Sequence, residues 1–134
     1  MALTFYIVDV FAEAKYSGNQ LAVVRGAGHL DTATMQRIAQ EMHFSETSFI
    51  LSDEERGGGY DVRVFTPHSE LRFAGHPTLG TAYVIQQHIL GIPFEKVTLN
   101  LKVGPVPVRF TYRDGTPDVL WLSPQPAQFG PEAD

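Results

Sequence analysis

Gly75-His76-Pro77-Thr78 is the stretch of this chain best suited to hold a small anion. It joins a polar turn over residues 66–72 to a helix expected over residues 78–90. Pro77 suits the first helical position, where a missing N–H costs nothing. Gly75 would let the backbone turn sharply and come close to a ligand. Residues 73–94 contain no Asp, Glu, Lys or Arg, and a helix without charge on any face is a buried one. Its first N–H groups would lie unpaired inside the protein, where they favour a carboxylate. A carboxylate-bearing ligand at Gly75, His76 and Thr78 is therefore one reading. A plain Gly-X-Pro corner with a structural histidine is the other, and local chemistry leaves both open.

Two further residues could serve such a ligand. Glu46 stands where a strand is expected to begin, between apolar Phe44 and Phe49. A carboxyl beside apolar surface can exchange protons near neutral pH as a general acid/base. On spacing alone, a solvated glutamate at a helix–strand junction is the preferred reading. Asn19 closes the polar run Lys15-Tyr16-Ser17-Gly18-Asn19 and reads first as a turn residue, since Asn tolerates left-handed geometry.

The elements that must position these residues follow from periodicity. Residues 3–10 alternate as a strand with both sides largely apolar, and residues 20–25 form a second. Asp31 is a candidate N-cap for a helix over 32–43, with Met35, Ile38, Ala39 and Met42 on one face. Residues 49–51 and 60–65 read as strands around the exposed tip Asp53-Glu54-Glu55-Arg56-Gly57-Gly58-Gly59. Those three glycines form no phosphate loop, because no Gly-Lys-Ser/Thr follows and no helix starts there. Gly91 and Pro93 stop the uncharged helix. Strands return over 96–103, 106–112 and 118–122, with Trp121 expected in the core. Strands running around one buried helix indicate an α+β fold, with curled mixed sheets wrapped about that helix.

Composition narrows the function. A length of 134 residues suits one domain. A net charge of −5 without a Lys/Arg cluster argues against a nucleic-acid binder. The chain has no cysteine, which removes disulfides, thiolate metal sites and cysteine catalysis together. The start Met1-Ala2-Leu3-Thr4-Phe5 lacks the marks of a signal peptide. Gln86, Gln87, His88 and Pro93 make the uncharged stretch a poor membrane span. A cytoplasmic protein without membrane or nucleic-acid partners is expected.

Four blocks then carry a resemblance. They are Gly18-Asn19-Gln20-Leu21-Ala22-Val23, Phe44-Ser45-Glu46-Thr47-Ser48-Phe49, Arg63-Val64-Phe65-Thr66-Pro67 and Glu70-Leu71-Arg72-Phe73-Ala74-Gly75-His76-Pro77-Thr78. In order and spacing they resemble the N-terminal half of the PhzF family of phenazine-biosynthesis isomerases. The resemblance implies a diaminopimelate-epimerase-like fold, in which two similar domains face each other across the active-site cleft. It implies that Glu46 is the acid/base that shuttles a proton, which reverses the reading from spacing. It implies that Gly75 and His76 belong to the substrate pocket and makes Asn19 a cleft residue. No metal or cofactor is implied. The sister racemases use two cysteines, a route closed to these residues. Gln20 and Arg72 stand where the family often has Pro.

The resemblance sets further expectations. Residues 1–122 would be the N-terminal domain and 123–134 a proline-rich interdomain linker, with the second domain absent. That second domain would be the expected partner, supplying an Asp and a further anion contact. The function expected is prototropic isomerisation of a small carboxylate-bearing metabolite. This half alone would fold but be inactive or nearly so, and its open cleft face could pair with a second copy as a homodimer. A non-catalytic binding or scaffold domain that keeps the fold is the alternative.

Overall fold

The computed structural model describes residues 3–10 and 19–122. The turn expected at Lys15-Tyr16-Ser17-Gly18 and the segment 123–134 lie outside the described residues. Strands β1 (Thr4–Val10) and β2 (Asn19–Arg25) pair antiparallel. Helix α1 (Thr32–Met42) then crosses over to β3 (Glu46–Ile50), which runs parallel to β2. A parallel neighbour needs such a crossover, and a helix is the usual one. Asp31 caps α1 as expected, its carboxylate accepting the Thr34 N–H at 2.8 Å.

Strand β4 (Tyr60–Phe65) pairs antiparallel with β3, after a hairpin closed by Arg56 and Gly59. Gly57 and Gly58 both take positive φ there, which only glycine adopts freely. The region read as a polar turn contains a short extra strand, β5 (Glu70–Leu71), on β4. Helix α2 (Gly75–Val84) follows and passes into a π-helical segment, Ile85–Leu90. Strands β6 (Lys96–Leu101), β7 (Gly104–Arg113) and β8 (Thr116–Leu122) complete an eight-stranded mixed sheet of order β1-β2-β3-β4-β6-β7-β8, with β5 beside β4.

The sheet curls around α2, which packs against β1, β2, β3, β6, β7 and β8. One face of the sheet supplies Leu21, Val23, Ile50, Val62, Val64, Leu99, Val106 and Val108 to a core with Ala82, Val84 and Ile85 of the helix. The other face packs Val24, Phe49 and Phe65 against Met35 and Ala39 of α1. The α+β architecture with a buried central helix is thus as the sequence indicated.

Several details differ. The helix begins at Gly75, not Thr78, so Pro77 holds its third position. The same physics permits it there, because none of the first four N–H groups has an intrahelical partner. The last turn is wider than expected: Gly91, at φ 74°, donates its N–H to the Gln86 carbonyl five residues back at 2.8 Å. Trp121 is 43% exposed, not in the core. Its neighbours Leu120 and Leu122 pack on the core, and strand alternation turns the residue between them outward. The two sides of β1 likewise part company. Tyr6 and Val8 reach the core, while Phe5 and Ile7 are 50% and 46% exposed.

Candidate active site

Glu46 is the first residue of β3, where its neighbours decide which way it faces. Ser48 is buried and reaches Thr81 of α2, Oγ to Oγ1 at 2.6 Å. Ile50 belongs to the core around the same helix. Side chains two apart on a strand share a face, so Glu46 faces the α2 side. It is half-buried. Its strand partner across the sheet is Leu21, two residues into β2 from Asn19. Asn19 itself opens β2 opposite Val10 rather than standing in the turn. The Glu46 carboxylate has no hydrogen-bond or ion-pair partner among the described residues.

The chain connection brings the start of α2 to this end of the sheet. Leu71 of β5 pairs with Val64, which pairs with Ser48, and the helix begins four residues after Leu71. Ala74 is its N-cap, extended at φ −154°, and no side chain caps the end. The first intrahelical bond is Thr78 N–H to the Ala74 carbonyl, 3.2 Å. The N–H groups of Gly75 and His76 precede that bond, and Pro77 has none to offer. Gly75 is not the sharp turn its type suggested. It is helical, and a Cβ placed on it would meet nothing within 4 Å, so open space lies beside its backbone. The His76 ring is half-buried and without a hydrogen-bond partner among the described residues.

Thr78 stands differently from its neighbours. It is fully buried, and its hydroxyl donates to the Ala74 carbonyl. With its N–H and its proton both committed to Ala74, Thr78 braces the first helical turn. The sequence pointed to a helix end that attracts carboxylates; no side chain caps the N-terminus of α2. Spacing did not single out Ser48 and Thr81, the pair that joins β3 to α2. Ser48 lies two residues beyond Glu46 and Thr81 three beyond Thr78, a spacing that marks one face of a strand and one side of a helix.

A second glutamate shows what a structural carboxylate looks like here. Glu70 accepts two bonds from Arg63, Nε at 2.8 Å and a terminal nitrogen at 2.7 Å. Lys102 stands 3.5 Å away. The Arg63 guanidinium holds the Glu70 carboxyl below the usual carboxylate range, with Lys102 adding a smaller pull. Arg63 also donates to Thr32 at the start of α1. Among the described residues no group of three His, Asp or Glu is placed to hold a metal ion, and no helix is long and apolar enough to cross a membrane.

A family model described as phenazine biosynthesis-like protein matches residues 8–133. The chain belongs to the PhzC–PhzF family. It is 48% identical over 84 residues to a trans-2,3-dihydro-3-hydroxyanthranilate isomerase of Pseudomonas fluorescens, covering 63% of this chain and 30% of that one. Over 102 residues it is 44% identical to an uncharacterized isomerase of Pasteurella multocida, covering 76% of this chain and 35% of the relative. The chain thus spans about a third of the length of these curated relatives. A PhzF-family crystal structure from Enterococcus faecalis superposes with a TM-score of 0.72 at 37% identity, over 83% of this chain and 41% of that one. A hydroxyproline epimerase of Agrobacterium vitis superposes at 0.65 with 13% identity, over 90% of this chain and 41% of that one. That likeness shows a shared epimerase-like fold. Both of the curated relatives carry the name isomerase.

Proposed function

We propose that this chain carries the acid/base half of an isomerase that moves a proton along a conjugated, carboxylate-bearing metabolite, with Glu46 as the shuttle. The observation that carries this is a glutamate without a partner among the described residues, on the helix-facing side of β3 at the end of the sheet where no side chain caps α2. In the reaction the Glu46 carboxylate takes a proton from one carbon of the substrate. The C–H electron pair shifts through the conjugated system. The protonated Glu46 then returns its proton to a second carbon, so that atoms and charge balance without a redox partner. The substrate carboxylate accepts N–H bonds from Gly75 and His76, and the His76 ring packs or bonds beside it. Asn19, at the head of β2, is assigned to the same site by this reading. Thr78 holds the turn that presents these donors.

A second domain completes the cleft in this reading. General acid/base catalysis needs a positioned substrate and excluded water. Turnover by these 134 residues alone is therefore expected to be slight and to rise when the remainder of a longer relative is added in trans. The test uses trans-2,3-dihydro-3-hydroxyanthranilate in D2O, with deuterium incorporation into product followed by NMR. Incorporation that disappears in Glu46→Gln supports the shuttle. Undiminished incorporation in Glu46→Gln would end it. A folded domain that binds carboxylates but never exchanges a proton, even when complemented, would favour a binding role.

A further inference from the structure

Ser48 and Thr81 form a buried hydroxyl pair to which the proposed proton transfer gives no part. Both side chains are fully buried, in an interface otherwise built from Ile50, Ala82, Val84 and Ile85. Thr81 Oγ1 donates to the Pro77 carbonyl at 2.6 Å. Ser48 Oγ lies 2.6 Å from Thr81 Oγ1. A hydroxyl carries one proton, and Thr81 has committed its own to Pro77. Ser48 is therefore the donor, and the chain runs in one direction: Ser48 to Thr81 to the Pro77 carbonyl.

The ends of this chain matter. Ser48 is two residues beyond Glu46 on the same face of β3. Pro77 directly follows His76 in the first turn of α2. Apolar contacts alone would hold helix and strand together but let one slide on the other, because such contacts have little direction. One well-directed bond between strand and helix in a buried interface, Ser48 to Thr81, removes that freedom, and the bond from Thr81 to Pro77 carries it on to the first turn of α2, at the cost of burying polar groups that an apolar pair would avoid. The bond is spent at the place where the strand bearing Glu46 meets the turn bearing Gly75 and His76.

We infer that Ser48 and Thr81 are positioning residues, which fix the first turn of α2 in one register against β3 and so set the Gly75 and His76 N–H groups relative to the Glu46 carboxylate. This rests on the reading of Glu46, Gly75 and His76 as the site. Neither hydroxyl touches the substrate.

The experiment is amide NMR of the 134-residue chain, free and titrated with anthranilate as a carboxylate probe. Thr81→Val keeps the shape and removes the hydroxyl, Thr81→Ser keeps the hydroxyl, and Ser48→Ala removes the donor. In the free chain, Thr81→Val and Ser48→Ala should move or broaden the Gly75 and His76 amide signals, while the signals of Arg63 and Glu70 stay in place. Both should weaken anthranilate about tenfold, the scale expected when a donor pair is misplaced by a fraction of an ångström. Thr81→Ser should restore both readouts to within about twofold, which a role in packing alone would not do. Unchanged Gly75 and His76 signals in the free variants overturn the inference, as does a Thr81→Ser chain that behaves like Thr81→Val. Anthranilate that moves no amide of the parent chain defeats the carboxylate-site reading instead, while the free-chain signals still decide the positioning role. If Thr81→Val fails to fold, Ser48→Ala carries the same comparison.

Discussion

Glu46 and Glu70 lie at the same end of the β3–β4–β5 ribbon, one residue step from each other across the pairs Thr47–Phe65 and Phe65–Glu70. They could hardly differ more in setting. Arg63 of β4 clamps Glu70 in a two-bonded pair, braced by Lys102, and also reaches Thr32, so strand, ribbon and helix α1 are tied at one point. Nothing among the described residues pairs with Glu46. One carboxylate is tied into the structure and the other has no such tie among the described residues. The sheet makes this separation possible because its two faces serve different helices, α1 on one side and α2 on the other. A residue one step along a strand changes helix and partners.

The largest expected effect tests the open carboxylate. With the remainder of a longer relative added in trans, Glu46→Gln should lower isomerase turnover by about 10²-fold or more, with the melting midpoint of the chain within about 1 °C of the parent, since Glu46 has no bond to lose among the described residues. A large loss of stability in Glu46→Gln would erase the contrast with Glu70. Steady-state rates and thermal melts on the same samples decide it.

Glu70→Gln should do the reverse. It breaks a partly buried, two-bonded ion pair and should cost on the order of 2 kcal/mol, read as a lower urea midpoint, while turnover per folded molecule is kept. The pH dependence follows from the sign of the shift. The Glu70 carboxyl is held below its ordinary value in the folded chain, so its contribution is present above the unfolded value of about 4.3. That contribution is lost as pH falls below there, through the folded value. Parent and Glu70→Gln stabilities should therefore converge as the pH is lowered from about 5 to 3. Parallel curves across that range would show that Arg63 does not act through charge.

The cap of α1 offers a smaller check on the structural face. Asp31→Ala removes the bond to the Thr34 N–H and should cost about 1 kcal/mol, with no change in carboxylate binding at α2. Altered anthranilate affinity in Asp31→Ala would mean that the two faces are coupled.

The smallest effect is expected at Thr47, between Glu46 and Ser48 but turned to the α1 side with Phe49. Its hydroxyl is buried without a partner in the described structure. Thr47→Val replaces it by a methyl of similar size and should leave stability unchanged or raise it by up to about 1 kcal/mol. A marked destabilisation would show that this hydroxyl is bonded in solution. Ser48, one residue on, should give the opposite sign when its hydroxyl is removed.

Much of this protein was legible without coordinates. Charge absent from residues 73–94 determined that α2 is buried, because no polar face remained to meet water. Alternation in the strands and the Asp31 cap placed most elements, and the four motif blocks pointed to the epimerase-like fold. The start of α2, the strand β5 and the outward face of Trp121 were not legible. Local propensity tolerates Pro at several early helical positions, a two-residue strand exists only because β4 is beside it, and which side of an edge strand meets the core depends on what the sheet wraps. The difference in setting between Glu46 and Glu70 belongs wholly to the tertiary structure. Both are glutamates near strand ends in family motifs, and only the pairing of β3, β4 and β5 sets one against Arg63 and turns the other toward α2. The Ser48–Thr81 bond is of the same kind. A sequence states which residues carry hydroxyls, but a hydrogen bond between residues 33 apart needs the sheet to curl around the helix before it can form.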